Sequence, residues 1–215
     1  MNSFVHFSFF IVTKPAGAAR LNMRNKQCIN INPLLADQPV TLIPHENTDN
    51  LSLFLEKHLY SLLTALQGVR QHPRYHPEKD ALYHSLQVFQ LAHKACDDPQ
   101  LWAVALLHDI GKAVNTQKHA EIGADELEGL LSPRIVWLIR HHLHLLKAPR
   151  RTRHWLRNTP QLRELERLRA WDLKGRSPHA TVITPLKAID ILMTHSKSLL
   201  FRSETAYYYD NQELR

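Results

Sequence analysis

The chain has 215 residues, 44% apolar and 22% charged, with a formal net charge of +7. That balance reads as an ordinary soluble protein with one sizeable core, or one domain plus an extension. Two cysteines, Cys28 and Cys96, with no CxxC exclude a disulfide framework and suit a reducing, cytoplasmic setting.

The apolar run "FVHFSFFIV", residues 4–12, is far too short to span a bilayer, and no basic residue precedes it. Pro15, Pro33, Pro39 and Pro44 punctuate a stretch without sustained period, so residues 1–47 are expected to form an irregular N-terminal arm, with Met23 as an alternative start. Helical periodicity then dominates. "NLSLFLEKHLYSLLTALQGVR" carries Leu and Phe at helical spacing. "DALYHSLQVFQLAHKAC" follows Asp80 as a cap and places Ala81, His84, Val88 and Leu91 on one stripe. "PQLWAVALLHDIGKAV" starts on a proline and should stop near Gly111. "HAEIGADELEGLL", then "SPRIVWLIRHHLHLL" with its Ser132-Pro133 start, then "PQLRELERLRAWDLKGR" and "PLKAIDILMTHSKSLLFRSETAYYY" complete the series. No internal repeat or long linker appears. The expectation is an all-α bundle of five to seven helices over 48–205, with a short tail at 206–215.

Charge is unevenly placed. From Arg134 to Arg176 there are 12 Lys/Arg against 3 acids (Glu164, Glu166, Asp172), hence 12 − 3 = +9 in that segment. Such an excess favours an anionic partner, a phosphate ester, nucleotide or RNA, although a charge run alone is more often a solvated face. Fifteen histidines is a high number, and histidine is the commonest metal ligand.

A lone His-Asp dipeptide says little, but His108-Asp109 has company. His84 lies on the apolar stripe of one predicted helix, His108-Asp109 near the end of the next, and Asp172 late on a third, each at a position that should be core. Several ionisable groups in one core are costly unless a shared charge compensates them, and a divalent cation supplies it. Such a ligand set leaves positions open for water and substrate.

His84, His108-Asp109 within "LLHDIGK", and Asp172 together resemble the H…HD…D signature of the HD-domain metal-dependent phosphohydrolase superfamily. The likeness is strongest to the HD domains of bacterial CCA-adding tRNA nucleotidyltransferases: "YHPEKDALYHS" matches their lead-in to the first ligand, "HAEIG" partly matches an HExxG element, and "DLKGR" matches D-x-x-G-R. It covers about residues 72–177, and Ala120 stands where the family usually has Glu. No Gly-Ser…Asp-x-Asp nucleotidyltransferase head occurs, so a stand-alone HD protein is expected and nucleotide addition is not carried over.

The resemblance implies one divalent metal held by His84, His108, Asp109 and Asp172, and a second using His119 with one of His141, His142 or His144, of which His142 matches best. Mixed His/carboxylate ligation does not choose among Mn, Fe, Ni, Co, Zn and Mg. Lys112, three residues after Asp109, should face the same mouth and neutralise phosphate charge, with Arg140 and Arg176 as further substrate contacts. The implied activity is metal-dependent hydrolysis of a phosphomonoester or phosphodiester of a nucleotide or RNA end. Its rivals are a di-iron oxygenase on the same ligands and a non-catalytic nucleotide- or RNA-binding module built on the basic segment.

Overall fold

In the computed structural model, residues 46–201 are described; the expected arm before them and the tail after them lie outside the described residues. Among the described residues there are ten α-helical segments, one 3-10 turn at Ile110–Ala113 and no β-strand. The helices are α1 (Glu46–Thr64), α2 (Ala81–Ala95), α3 (Pro99–Leu107), α4 (His119–Leu127), α5 (Pro133–His141), α6 (His144–Lys147), α7 (Pro149–Trp155), α8 (Pro160–Lys174), α9 (Pro185–Met193) and α10 (Ser196–Leu199).

The starts of these helices follow local chemistry. Asp98, Ser132, Thr159 and Thr184 each accept a backbone N–H of the first turn, and each precedes a proline at the first helical position. Asp80 caps α2 by accepting from the Tyr83 amide at 2.9 Å. The count exceeds the expected five to seven because two predicted runs are interrupted. "RHHLHLL" bends at His142–Leu143, which separates α5 from α6 and turns His142 inward, and the last run breaks at Thr194–His195. The Pro149 start then adds α7, which periodicity did not announce.

Leu101 to Leu107 of α3 are all buried, and α3 packs against α2, α5, α8, α9 and α10. It is apolar on every side because it is the central helix, and each fully buried Leu contributes roughly 2 kcal/mol of transfer free energy. His108 and Asp109 follow directly from its buried end. Asp109 lies at φ −105 and ψ 1, the bridge region that ends a helix and turns a side chain aside. No described helix is long and apolar enough to cross a membrane.

The 3-10 turn sits against α4. A Cβ on Gly111 would stand 2.2 Å from the His119 carbonyl oxygen and 2.8 Å from the Gly123 amide nitrogen. Gly111 is therefore needed for close approach to α4, a stronger demand than the helix stop expected of it.

Candidate metal centre

Five helices deliver the polar residues of the core to one place. α2 carries His84, the end of α3 carries His108 and Asp109, the first residue of α4 is His119, the end of α5 supplies His142, and α8 supplies Asp172. His84, His108 and Asp109 are buried to 2% exposure or less, a severe cost unless something compensates it.

The four histidines share one tautomer. Each places Nδ1 against a backbone carbonyl: His84 on Gly175 at 2.9 Å, His108 on Ala105 at 3.0 Å, His119 on Thr116 at 2.8 Å and His142 on Ile139 at 2.7 Å. A carbonyl only accepts, so Nδ1 carries a proton and Nε2 is the atom left to meet a cation. That is the second contact by which metal-ligating histidines are oriented.

These Nε2 atoms converge on Asp109. Its Oδ2 lies 3.5 Å from His108 Nε2 and 3.9 Å from His84 Nε2, and its Oδ1 lies 3.2 Å from His119 Nε2 and 3.9 Å from His142 Nε2. His84 Nε2 also lies 3.2 Å from Asp172 Oδ1. It is buried and makes no aligned hydrogen bond among the described residues. Two sets of donors each fit within 4.8 Å: His84, His108 and Asp172 on one side, Asp109, His119 and His142 on the other. The orphaned Nε2 of His84 and the donor types in both sets fit a divalent cation.

The contact between His119 Nε2 and His142 Nε2, 3.2 Å, sharpens this. Two lone pairs at that separation repel unless a proton or a cation lies between them. Burial pushes the His142 pKa down to about 3, which disfavours the proton there.

The field of the site favours positive charge. Burial opposes a charge on His84, but the carboxylates of Asp172, Glu78 and Asp109 outweigh it and push its pKa up to about 9. For Asp109, burial is outweighed by His108, Lys112 and His119, which hold its carboxyl well below the usual range. Burial of Asp172 is likewise outweighed, chiefly by His84 and His108, and its carboxyl stays ionised. His108 is pushed down, mainly by burial.

The cleft over these ligands has a volume of about 370 Å³. Lys112 lines it, with Nζ 2.6 Å from Asp109 Oδ2 and 2.5 Å from Gln71 Oε1. Arg176 lines it too, but its Nη2 donates to both oxygens of Asp172 at 2.9 and 3.0 Å and its Nη1 to the Tyr75 carbonyl at 2.9 Å. Its first task is to hold Asp172. Arg140 does not line the cleft; it bridges Asp125 and Glu128 on the surface, at 2.6 and 3.2 Å. His141 turns away, stacked on Trp137 at 4.3 Å, with His144 against it at 4.7 Å, so of the three candidates His142 is the one brought to Asp109.

Sequence reasoning missed Arg70, Gln71, His72 and Thr116 on the cleft wall. Nothing local marks them, since a loop joins the site through its path in space. His76 and Glu78 were visible inside "YHPEKDALYHS" but received no role.

Comparison with known families bears on the stretch that carries these residues. Residues 81–174 match the profile of the HD domain. The chain carries an HD domain. All six predicted ligands fall inside that span. The Multifunctional CCA protein of Hahella chejuensis is 35% identical over 79 residues, 34% of this chain and 19% of that protein. Those of Acinetobacter baumannii and Methylococcus capsulatus are 42% identical over 62 residues and 43% over 58, covering 15% and 14% of their lengths. The chain thus spans less than a fifth of these relatives, and the likeness rests on the HD region.

Proposed function

We propose that this chain is a cytoplasmic phosphohydrolase with ligands for two divalent metals that would share Asp109, acting on a phosphate ester of a nucleotide or an RNA end. One observation supports it above the others: four histidines, each proton-locked at Nδ1 by a carbonyl, aim Nε2 at the two oxygens of one buried carboxylate. His84, His108 and Asp172 would hold one metal, His119 and His142 the other, and Asp109 both. When bound, the metals supply Lewis acidity and an activated water for attack on phosphorus.

The chain's own groups do the rest. An ammonium has three donors. Lys112 uses two on Asp109 and Gln71, and the third is available to a phosphoryl oxygen in the cleft. Arg176 fixes Asp172 and adds positive charge to the same wall. Leu143 and Leu146 also line the cleft and offer an apolar surface to a base or sugar. The similarity to CCA proteins and the +9 segment support an RNA or nucleotide substrate over a small acidic metabolite. Part of that segment is internally paired: Arg134 with Asp98 and Glu164, Arg153 with Glu166, Arg176 with Asp172.

The test is metal analysis of the purified protein together with hydrolysis assays on phosphomonoesters and phosphodiesters, nucleotides and short RNAs included. Bound metal and turnover with Mn, Ni or Co are expected, and Asp109→Ala should abolish both. No bound metal and no hydrolysis with any of these ions would sink the proposal. So would an Asp109→Ala variant that keeps full turnover.

A further inference from the structure

Glu78 is a fully enclosed carboxylate that the proposed chemistry does not use. Its side chain has 0% exposure, and Oε2 is buried with no hydrogen-bond partner among the described residues. A buried acid left half unsatisfied costs stability, so it is a poor packing device.

The other oxygen explains its placement. Glu78 Oε1 lies 2.7 Å from His76 Nδ1 and 2.9 Å from His84 Nδ1. His84 belongs to the metal-ligand set, and His76 lines the cleft. The two imidazoles meet edge to face at a 5.0 Å centroid separation. One carboxylate oxygen thus touches a ligand and a cleft-wall histidine together.

The loop is built to hold that pose. The Gln71 amide donates to the Lys79 carbonyl at 2.8 Å, and the Ala81 amide to the Val69 carbonyl at 3.0 Å. Asp80 Oδ2 accepts from the Gly68 amide at 2.8 Å. Lys79 is held at φ 63, in the left-handed region, next to Glu78. A non-glycine residue is strained there and persists only where its surroundings impose it.

We propose that Glu78 is the positioning residue of this centre, its negative charge at the Nδ1 edge of His84 holding that imidazole towards the metal, beside the Gly175 carbonyl that sets its tautomer, while setting His76 in the cleft with its Nε2 free for the substrate. This rests on the metal-centre reading above. The alternative, a further metal on Nδ1 of His76 and His84 with Glu78, is disfavoured because His84 Nδ1 already donates to the Gly175 carbonyl. The 2.7 Å contact is a hydrogen bond from His76, and the 2.9 Å contact sets a carboxylate charge against His84, which raises ligand basicity through the imidazole.

The experiment uses the full chain titrated with Mn2+ by calorimetry, as wild type, Glu78→Gln, Glu78→Ala and His108→Ala. Glu78→Gln is expected to weaken Mn2+ binding about 10- to 100-fold while melting no lower than the wild type. His108→Ala reports on the metal centre itself. In unmutated, metal-free protein, side-chain nitrogen-15 correlation spectra should show His76 and His84 both protonated at Nδ1, a readout that needs no variant to fold. If the wild type takes up no Mn2+, the metal-centre reading fails and this inference goes with it. If the wild type binds, His108→Ala does not, and both Glu78 variants bind within twofold of wild type, only the Glu78 proposal is overturned. A His84 without a proton on Nδ1 overturns it as well.

Discussion

Asp109 is the residue on which the site turns, because its two oxygens face different histidine pairs: Oδ2 the pair His84 and His108, Oδ1 the pair His119 and His142. Removing one distal histidine should separate the two halves. His119→Ala is expected to lower metal content from two ions to one per chain, with the remaining ion still dependent on His108; elemental analysis of dialysed protein checks this. Two ions retained in His119→Ala would show that this histidine is not a ligand. Arg176 acts one step back. Arg176→Met leaves Asp172 without its paired donors, and a metal affinity lower by about tenfold is expected from losing a contact that orients a ligand.

At the scale of the element, the 3-10 turn and α4 act as one unit. The space a Cβ would need at Gly111 is occupied by the backbone of His119 and Gly123. Gly111→Ala should push α4, and with it His119, away from Asp109. A loss of about 2 kcal/mol in unfolding free energy is expected, of the size seen when a packed core is overfilled. The effect on the site should be larger than that figure alone suggests, because the displaced residue is itself a predicted ligand. Denaturant melts and metal titration of the same variant measure the two effects separately.

At the scale of the molecule, three helices are tied by one guanidinium. Arg134 on α5 donates to Asp98, the cap of α3, and to Glu164 on α8 at 2.7 Å each. Arg134→Ala strands both acids and should cost about 2 kcal/mol in a urea melt, the value of charged hydrogen bonds in a half-buried setting. For Asp98, burial opposes ionisation but the Arg134 contacts outweigh it, so its pKa is lowered from the ordinary 3.8. A depressed acid stabilises the fold above its unfolded pKa and loses that contribution as pH falls through the folded value. Thermal melts should therefore show an acid-side decline, below about pH 4, that is smaller in Asp98→Asn. The ligand set couples to global stability in the same way. Chelation should lower the melting temperature and readded metal should restore it, the added stability being about 2.7 kcal/mol when free metal is a hundredfold above its dissociation constant.

The all-α class and the helix starts at Asp80, Pro99 and Ser132-Pro133 were legible from periodicity and capping, which are local properties of the chain. His84, His108-Asp109 and Asp172 were legible because ionisable residues on apolar faces are costly without a shared partner, and the spacing matched a known pattern. What only the tertiary structure decided were relations between distant segments. It selected His142 over His141 and His144 through a bend after α5, and it gave Arg176 to Asp172. It also took Arg140 to the surface and placed Glu78 between two histidines. Neither periodicity nor composition encodes which side chain a bend turns inward or which oxygen a distant imidazole meets, because those outcomes follow from how the helices pack around α3.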